Sequence, residues 1–165
     1  MAETKNVYIL RDVAAGKVKT GTAQITLRNG DIVAIGEKTK GVYALSVPVA
    51  ATTRFGVVYN ADVVTTAGKY RGLSDDPRDI EFLAGTPVNF YIPDEEDEVA
   101  ITVATGYVKG TSKVLVPTVG GAAPGYIAKA SATETDHLVY TITDEKFVSI
   151  GNERVKTIEA VCTLA

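Results

Sequence analysis

Short runs rich in valine, threonine and isoleucine, each stopped by Gly, Pro, Asn or Asp before it can lengthen, recur along this chain and constrain it more than any other feature. β-Branched side chains are stiff at χ1 and suit a pleated, half-buried surface better than a helix. The expectation is therefore an all-β protein, a small β-barrel or a β-sandwich, with at most one or two short helices. The clearest local signal is Thr22 to Gly36, where Ile25 and Leu27 lead into Asn29-Gly30-Asp31 and Ile32, Val33 and Ile35 lead out. Asn-Gly between such runs predicts a two-residue hairpin with both turn residues at φ > 0.

Further along, Val42 to Val47 is extended in character until Pro48, which has no ladder donor. Phe55 to Tyr59 and Val63 to Thr66 are two more short β segments, and Thr86 to Ile92 alternates until Pro93. The acidic run Asp94 to Glu98 follows, and Val99, Ile101 and Val103 resume the alternation, so the run is expected to be an exposed connection between two strands. His137 to Thr143 and Phe147 to Ile150 return to sheet before the turn dipeptide Gly151-Asn152. Val155, Ile158 and Val161 fit a closing strand with one irregularity, a helix from Glu153 being the alternative. The other helical signal is short, around Asp79 to Ala84.

Residues 1–20 are expected to form an N-terminal arm with one short strand, because Ala14-Ala15-Gly16 interrupts the pattern of Val7, Ile9 and Val13. Ordering such an arm costs about 1 to 2 kcal/mol per residue, which Tyr8 and Ile9 would offset by burial against a neighbour or against the chain's own barrel. Both outcomes stay open at this point. Residues 21–165 form the β-rich domain, with a Gly/Pro-rich loop or linker at 117–125.

At 165 residues and 45% apolar composition the chain can build one good core, as one domain or two small ones in contact. Seventeen basic against twenty acidic side chains, scattered along the chain, give a net charge of -3 and argue against nucleic acid as a partner. No apolar run reaches the roughly 18 residues a membrane helix needs, and Met1 to Arg11 is charged where a signal peptide is apolar, so a protein made in the cytoplasm is expected.

The lone Cys162 and the lone His137 exclude a disulfide, or a zinc site built of Cys and His, within one protomer. Asp136 is adjacent to His137 and on a strand would point to the opposite face, so no Asp-His dyad is built locally. Cys162 lies in the apolar stretch Ala160 to Leu164, where an inert buried thiol is expected. No Gly-x-Ser-x-Gly elbow is present, and the glycines at 120, 121 and 125 do not have phosphate-binding spacing. The acidic run lacks the alternating ligands and the bending glycine of a calcium loop. Asp75, Asp76 and Asp79 around Pro77 are paired carboxylates of the kind that hydrolyse glycosides when one is buried, but a polar surface loop bridged to Arg71 or Arg78 is the simpler reading. No catalytic residue, cofactor or metal is expected. The eight tyrosines, against four phenylalanines, suit core edges and protein interfaces.

Gly41 to Ala51, Asn60-Ala61-Asp62-Val63, Ala67-Gly68-Lys69-Tyr70-Arg71-Gly72-Leu73, and Phe82-Leu83-Ala84-Gly85-Thr86-Pro87-Val88 before an acidic turn together resemble the head decoration, or capsid cement, proteins of tailed bacteriophages. The likeness covers residues 40 to 105, and Gly151-Asn152-Glu153-Arg154 more loosely. The resemblance implies an all-β protein without an active site that binds the outer surface of the capsid. There it would sit at junctions between major capsid subunits and stabilise the expanded shell. Its partners would be the major capsid protein and copies of itself, a trimer being one arrangement left open. Tyr8 and Ile9 on the arm, with Tyr70, Arg71 and Arg78, are the residues assigned to partner binding. Two other classes stay beside it: another virion component such as a tail-tube or head-completion protein, and a small-ligand-binding or hydrolytic β-barrel.

Overall fold

The computed structural model describes residues 18–59, 81–150 and 152–165, and within them it is all-β, with ten strands and no helix. The first five strands are β1 (Val18–Ala23), β2 (Ile32–Thr39), β3 (Val42–Ser46), β4 (Phe55–Val58) and β5 (Pro87–Tyr91). They close a barrel in the order β1-β3-β2-β4-β5, and β5 returns to pair with β1. The other five are β6 (Glu98–Ile101), β7 (Val114–Pro117), β8 (Tyr126–Lys129), β9 (Val139–Ile150) and β10 (Glu153–Leu164). These form an open sheet in the order β6-β10-β9-β7-β8.

Side-chain alternation explains how barrel and sheet share one protein. On β2, Ile32 belongs to the core between barrel and sheet, while its neighbour Val33 belongs to the core inside the barrel. Val57 and Val58 on β4 divide in the same way, as do Tyr91 and Phe90 on β5. At these positions the strands are buried on both faces, and β4, Phe55–Val58, reads as a continuous apolar run without polar alternation. The shared core joins Ile32, Phe55, Val57 and Tyr91 of the barrel to Val99, Ile101, Leu115, Tyr126, Tyr140 and Ile158 of the sheet. Burial this complete leaves no room for extra atoms. A Cβ on Gly56 would meet Phe90 Cδ2 at 2.7 Å, and one on Gly21 would meet Leu45 Cγ at 2.7 Å.

The Asn29-Gly30 prediction is corrected. Gly30 has φ 91°, but Asn29 is not in the left-handed region, and the Asp31 N–H donates to the Arg28 carbonyl at 3.1 Å. A single positive φ at the third position fits a type II turn. That turn does not join paired strands: Leu27 bridges to Phe82, and β1 pairs with β3 and β5. The two-residue turn with both φ positive lies instead at Lys40 (φ 50°) and Gly41 (φ 85°), between the paired Thr39 and Val42.

The acidic run connects two strands as expected, with Asp94, Glu95 and Glu96 exposed, and departs from expectation at Asp97. It joins β5 of the barrel to β6 of the sheet, which are not neighbours, and Asp97 is buried. Asp97 Oδ2 accepts the Asp94 N–H at 2.8 Å, and the run is stitched to β10 by Glu96 N–H to Cys162 O and Cys162 N–H to Asp97 O, each 2.8 Å. Residues 81–84 are not helical, and the stretch from Glu153 is strand. That closing strand carries two irregularities, between Glu159 and Ala160 and between Cys162 and Leu164. The segments around His137 and Phe147 fuse into the single strand β9. Residues 118–125 are the loop of the β7–β8 hairpin, and Pro117, the first residue of the expected loop, ends β7 paired to Tyr126. Val18–Thr20, the described end of the expected arm, pair with Tyr91, Phe90 and Asn89 as the first half of β1. The expected strand at Val63 to Thr66 lies outside the described residues.

Candidate functional site

Of the residues weighed for catalysis, Asp136 and Cys162 are engaged in internal contacts, whereas His137 lies at the surface. His137 is exposed, and Asp136 turns away from it to Lys129, whose Nζ lies at 2.9 Å, and to the Thr133 N–H at 2.8 Å. Desolvation works against the charge of Asp136, but the hydrogen bonds from Thr133 and Lys129 prevail and hold its carboxyl below the usual range. Cys162 is buried, and burial pushes its thiol up to about 11, with the negative charge of Asp97 acting in the same direction. Among the described residues no group of three His, Cys, Asp or Glu is placed to hold a metal ion. Asp75, Asp76 and Asp79 lie outside the described residues.

Three tyrosines, Tyr91, Tyr126 and Tyr140, are buried with Cys162 where the barrel meets the sheet. Burial raises the pKa of all three, and neighbouring negative charge adds to it. The Tyr126 hydroxyl donates to the Gly30 carbonyl at 2.6 Å, so the sheet holds the barrel's 28–31 turn directly. Beside that contact a cleft of about 660 Å³ opens between the barrel and the 118–125 loop, lined by Ile25, Arg28, Asp31, Glu81, Val103 and Pro124 among others. Its charges are occupied within the chain. Arg28 pairs with Glu81, and Asp31 Oδ2 accepts the Arg28 N–H at 2.7 Å.

The second exposed feature is the far end of the β9–β10 hairpin. β7 pairs with β9 only at Thr141 and Tyr140, and β6 pairs with β10 only from Ile158 to Val161. Beyond those contacts the two strands pair with each other through Glu153 and residue 150, as a ribbon of roughly 20 Å at the usual strand rise. A small polar cluster anchors its base. The Tyr107 hydroxyl donates to Glu145 Oε2 at 2.7 Å, Lys156 Nζ lies 3.2 Å from Glu145, and Lys109 lies 3.6 Å from it. The Tyr107 hydrogen bond, with those two ammonium groups, holds Glu145 below the usual carboxylate range. Burial and the Glu145 carboxylate push Tyr107 up to about 12. Farther out, Phe147 is 54% exposed, and the Arg154 guanidinium lies 4.5 Å from its ring centroid.

All five residues assigned to partner binding, Tyr8, Ile9, Tyr70, Arg71 and Arg78, lie outside the described residues. The ribbon was not among the expected sites, since Asp144-Glu145-Lys146 interrupts the apolar pattern that marks a strand. Comparison of the chain with protein-family models, with curated proteins and with solved structures gave no match in any of the three.

Proposed function

We propose that this chain is a structural protein of a tailed-bacteriophage head, which binds the outer surface of the capsid where major capsid subunits meet and stabilises the expanded shell. The observation that carries the reading is the arrangement of the stretches that resemble the decoration proteins. Gly41 to Ala51 contains β3, and Phe82 to Val88 runs into β5. These two strands flank β1 on either side, with Gly21 opposite both Tyr43 and Val88. Segments far apart in sequence thus meet in one part of the barrel. The commitment of Asp136, Asp97 and Cys162 to internal contacts agrees with a role in which the protein adds contacts and performs no chemistry. A decorating protein works by repetition, since many weak contacts on a lattice sum to a large stabilisation without any tight single interface.

The test is to mix the purified protein with undecorated expanded shells of the phage that encodes it, sediment the particles and image them by cryo-electron microscopy. Ordered density at subunit junctions, and shells that withstand more heat, are expected. Hexameric rings that stack without shells would make it a tail-tube subunit instead.

A further inference from the structure

At one open end of the barrel we infer an oxyanion site: Lys19 of β1, Lys38 of β2 and Arg54, immediately before β4, gather round the Tyr43 ring and bind a phosphate group. This site does not depend on the capsid reading.

Strand register brings the three cations together. Residues paired across a ladder share a face of the sheet. Lys19 pairs with Phe90, and Lys38 pairs with Tyr43. Both rings belong to the core inside the barrel, where they meet edge to face with centroids 5.8 Å apart. Arg54 stands two residues before Gly56, where a Cβ would meet Phe90, so it lies on the same face. β1, β3 and β4 begin at this end of the barrel and β2 ends there, so all three exposed cations occupy inward-facing positions at its rim. The Tyr43 ring fixes two of them. Lys38 Nζ lies 5.3 Å and Arg54 Cζ 5.8 Å from its centroid.

Charge then selects the ligand. Arg28, Lys109, Lys129, Lys146 and Lys156 each lie within ion-pair distance of a carboxylate. None of the three rim cations does so among the described residues, although the chain carries a net charge of -3. Glu37, next to Lys38 in sequence, pairs with none of them, and neither does Ala165, which lines a small pocket with Arg54. Like charges gathered on one face repel until an anion joins them. The aromatic ring holds two of these cations without neutralising either. Three positive charges suit a phosphate dianion better than a singly charged carboxylate, and a guanidinium fork with two ammonium groups supplies the donors a tetrahedral oxyanion accepts. The pocket beside Arg54, about 150 Å³ and lined by Ile35, Phe55, Ile92, Pro93 and Leu138, has room for a small apolar group carried on the phosphate. The ligand is therefore free phosphate or a phosphate monoester, and the two are separable by experiment.

The experiment titrates the full chain, in chloride buffer at fixed ionic strength, with inorganic phosphate, phenyl phosphate and acetate, and follows backbone amide shifts by NMR. Saturable shifts at residues 38 and 43 are expected with phosphate, with a dissociation constant of about 1 mM, and acetate is expected to bind at least about tenfold more weakly. Lys19→Gln, Lys38→Gln and Arg54→Gln are each expected to weaken phosphate binding about tenfold, the loss of one charge-assisted contact. Lys113→Gln, at an exposed position beside β7 in the other sheet, is expected to leave it unchanged. Melting curves without phosphate first show which variants are folded, and any two folded rim variants suffice for the comparison. Tighter binding of phenyl phosphate than of phosphate supports the site with an ester as its ligand, and equal or weaker binding supports it with free phosphate. No saturable shift with either phosphate, acetate bound as tightly as phosphate, or an equal loss in Lys113→Gln would each overturn the inference.

Discussion

Replacing Tyr126 with Phe tests the joint between barrel and sheet, and its effect should depend on pH in a way that packing loss cannot imitate. The hydroxyl is buried and donates to the Gly30 carbonyl at 2.6 Å, across 96 residues of sequence. At pH 7 the variant loses one buried hydrogen bond and leaves that carbonyl without this donor, a cost of about 1 to 2 kcal/mol. The ring stays and fills the same volume. Burial, with the Asp31 charge, raises the folded-state pKa of Tyr126 well above that of an ordinary phenol. The unfolded chain therefore releases this proton first. Stability from the neutral phenol is fully present below pH 10 and is lost as pH rises from there towards the folded-state pKa. At pH 11 the native sequence has lost about 1 to 2 kcal/mol through this residue, and the Phe variant has lost none of it. Urea unfolding of both proteins at pH 7 and pH 11, with m-values compared, measures the difference. The gap in midpoint should shrink almost to nothing at pH 11. A gap of equal size at both pH values would refute the assignment of a buried, hydrogen-bonded phenol.

Gly56→Ala should destabilise the protein by about 1 to 3 kcal/mol in urea, because the new methyl group meets the Phe90 ring inside a strand buried on both faces. Gly41→Val places a β-branched residue at φ 85° in the β2–β3 turn and should cost at least about 1 kcal/mol by thermal melting, although a Cβ there would meet no atom within 4 Å. Asp136→Asn removes the ion pair with Lys129. Because the Asp136 pKa is lowered in the fold, the native advantage over the variant should be present above about pH 4 and fade as pH falls through the acid range, which melting curves in citrate will register.

The strands that sequence reasoning located best are those with one dry face or a sharp stop. Val42 to Ser46 ends before Pro48, and Pro87 to Tyr91 ends before Pro93, because a missing amide and a fixed φ are local facts. The strands at Val114–Pro117 and Tyr126–Lys129 were not among those expected. Four residues show no clear period, and these two strands are paired with each other and with β9 across the sheet. Asn29-Gly30 misled for a related reason. Its composition permits two left-handed residues, but Gly30 is held by Val58 and Tyr126 in a geometry that needs only one.

The amino-acid sequence alone determined the all-β class, the absence of a paired disulfide and the loops at proline and glycine, since each follows from the chemistry of one residue or its near neighbours. Tertiary structure alone decided which strands pair, that β1 joins β3 in parallel and closes on β5, and that Asp97 is buried in what looked like a solvated turn. It also decided that the β9–β10 ribbon outruns its sheet. Those outcomes depend on contacts between residues tens of positions apart, whose energies no local pattern records, and on which face of each strand finds a second layer to cover it.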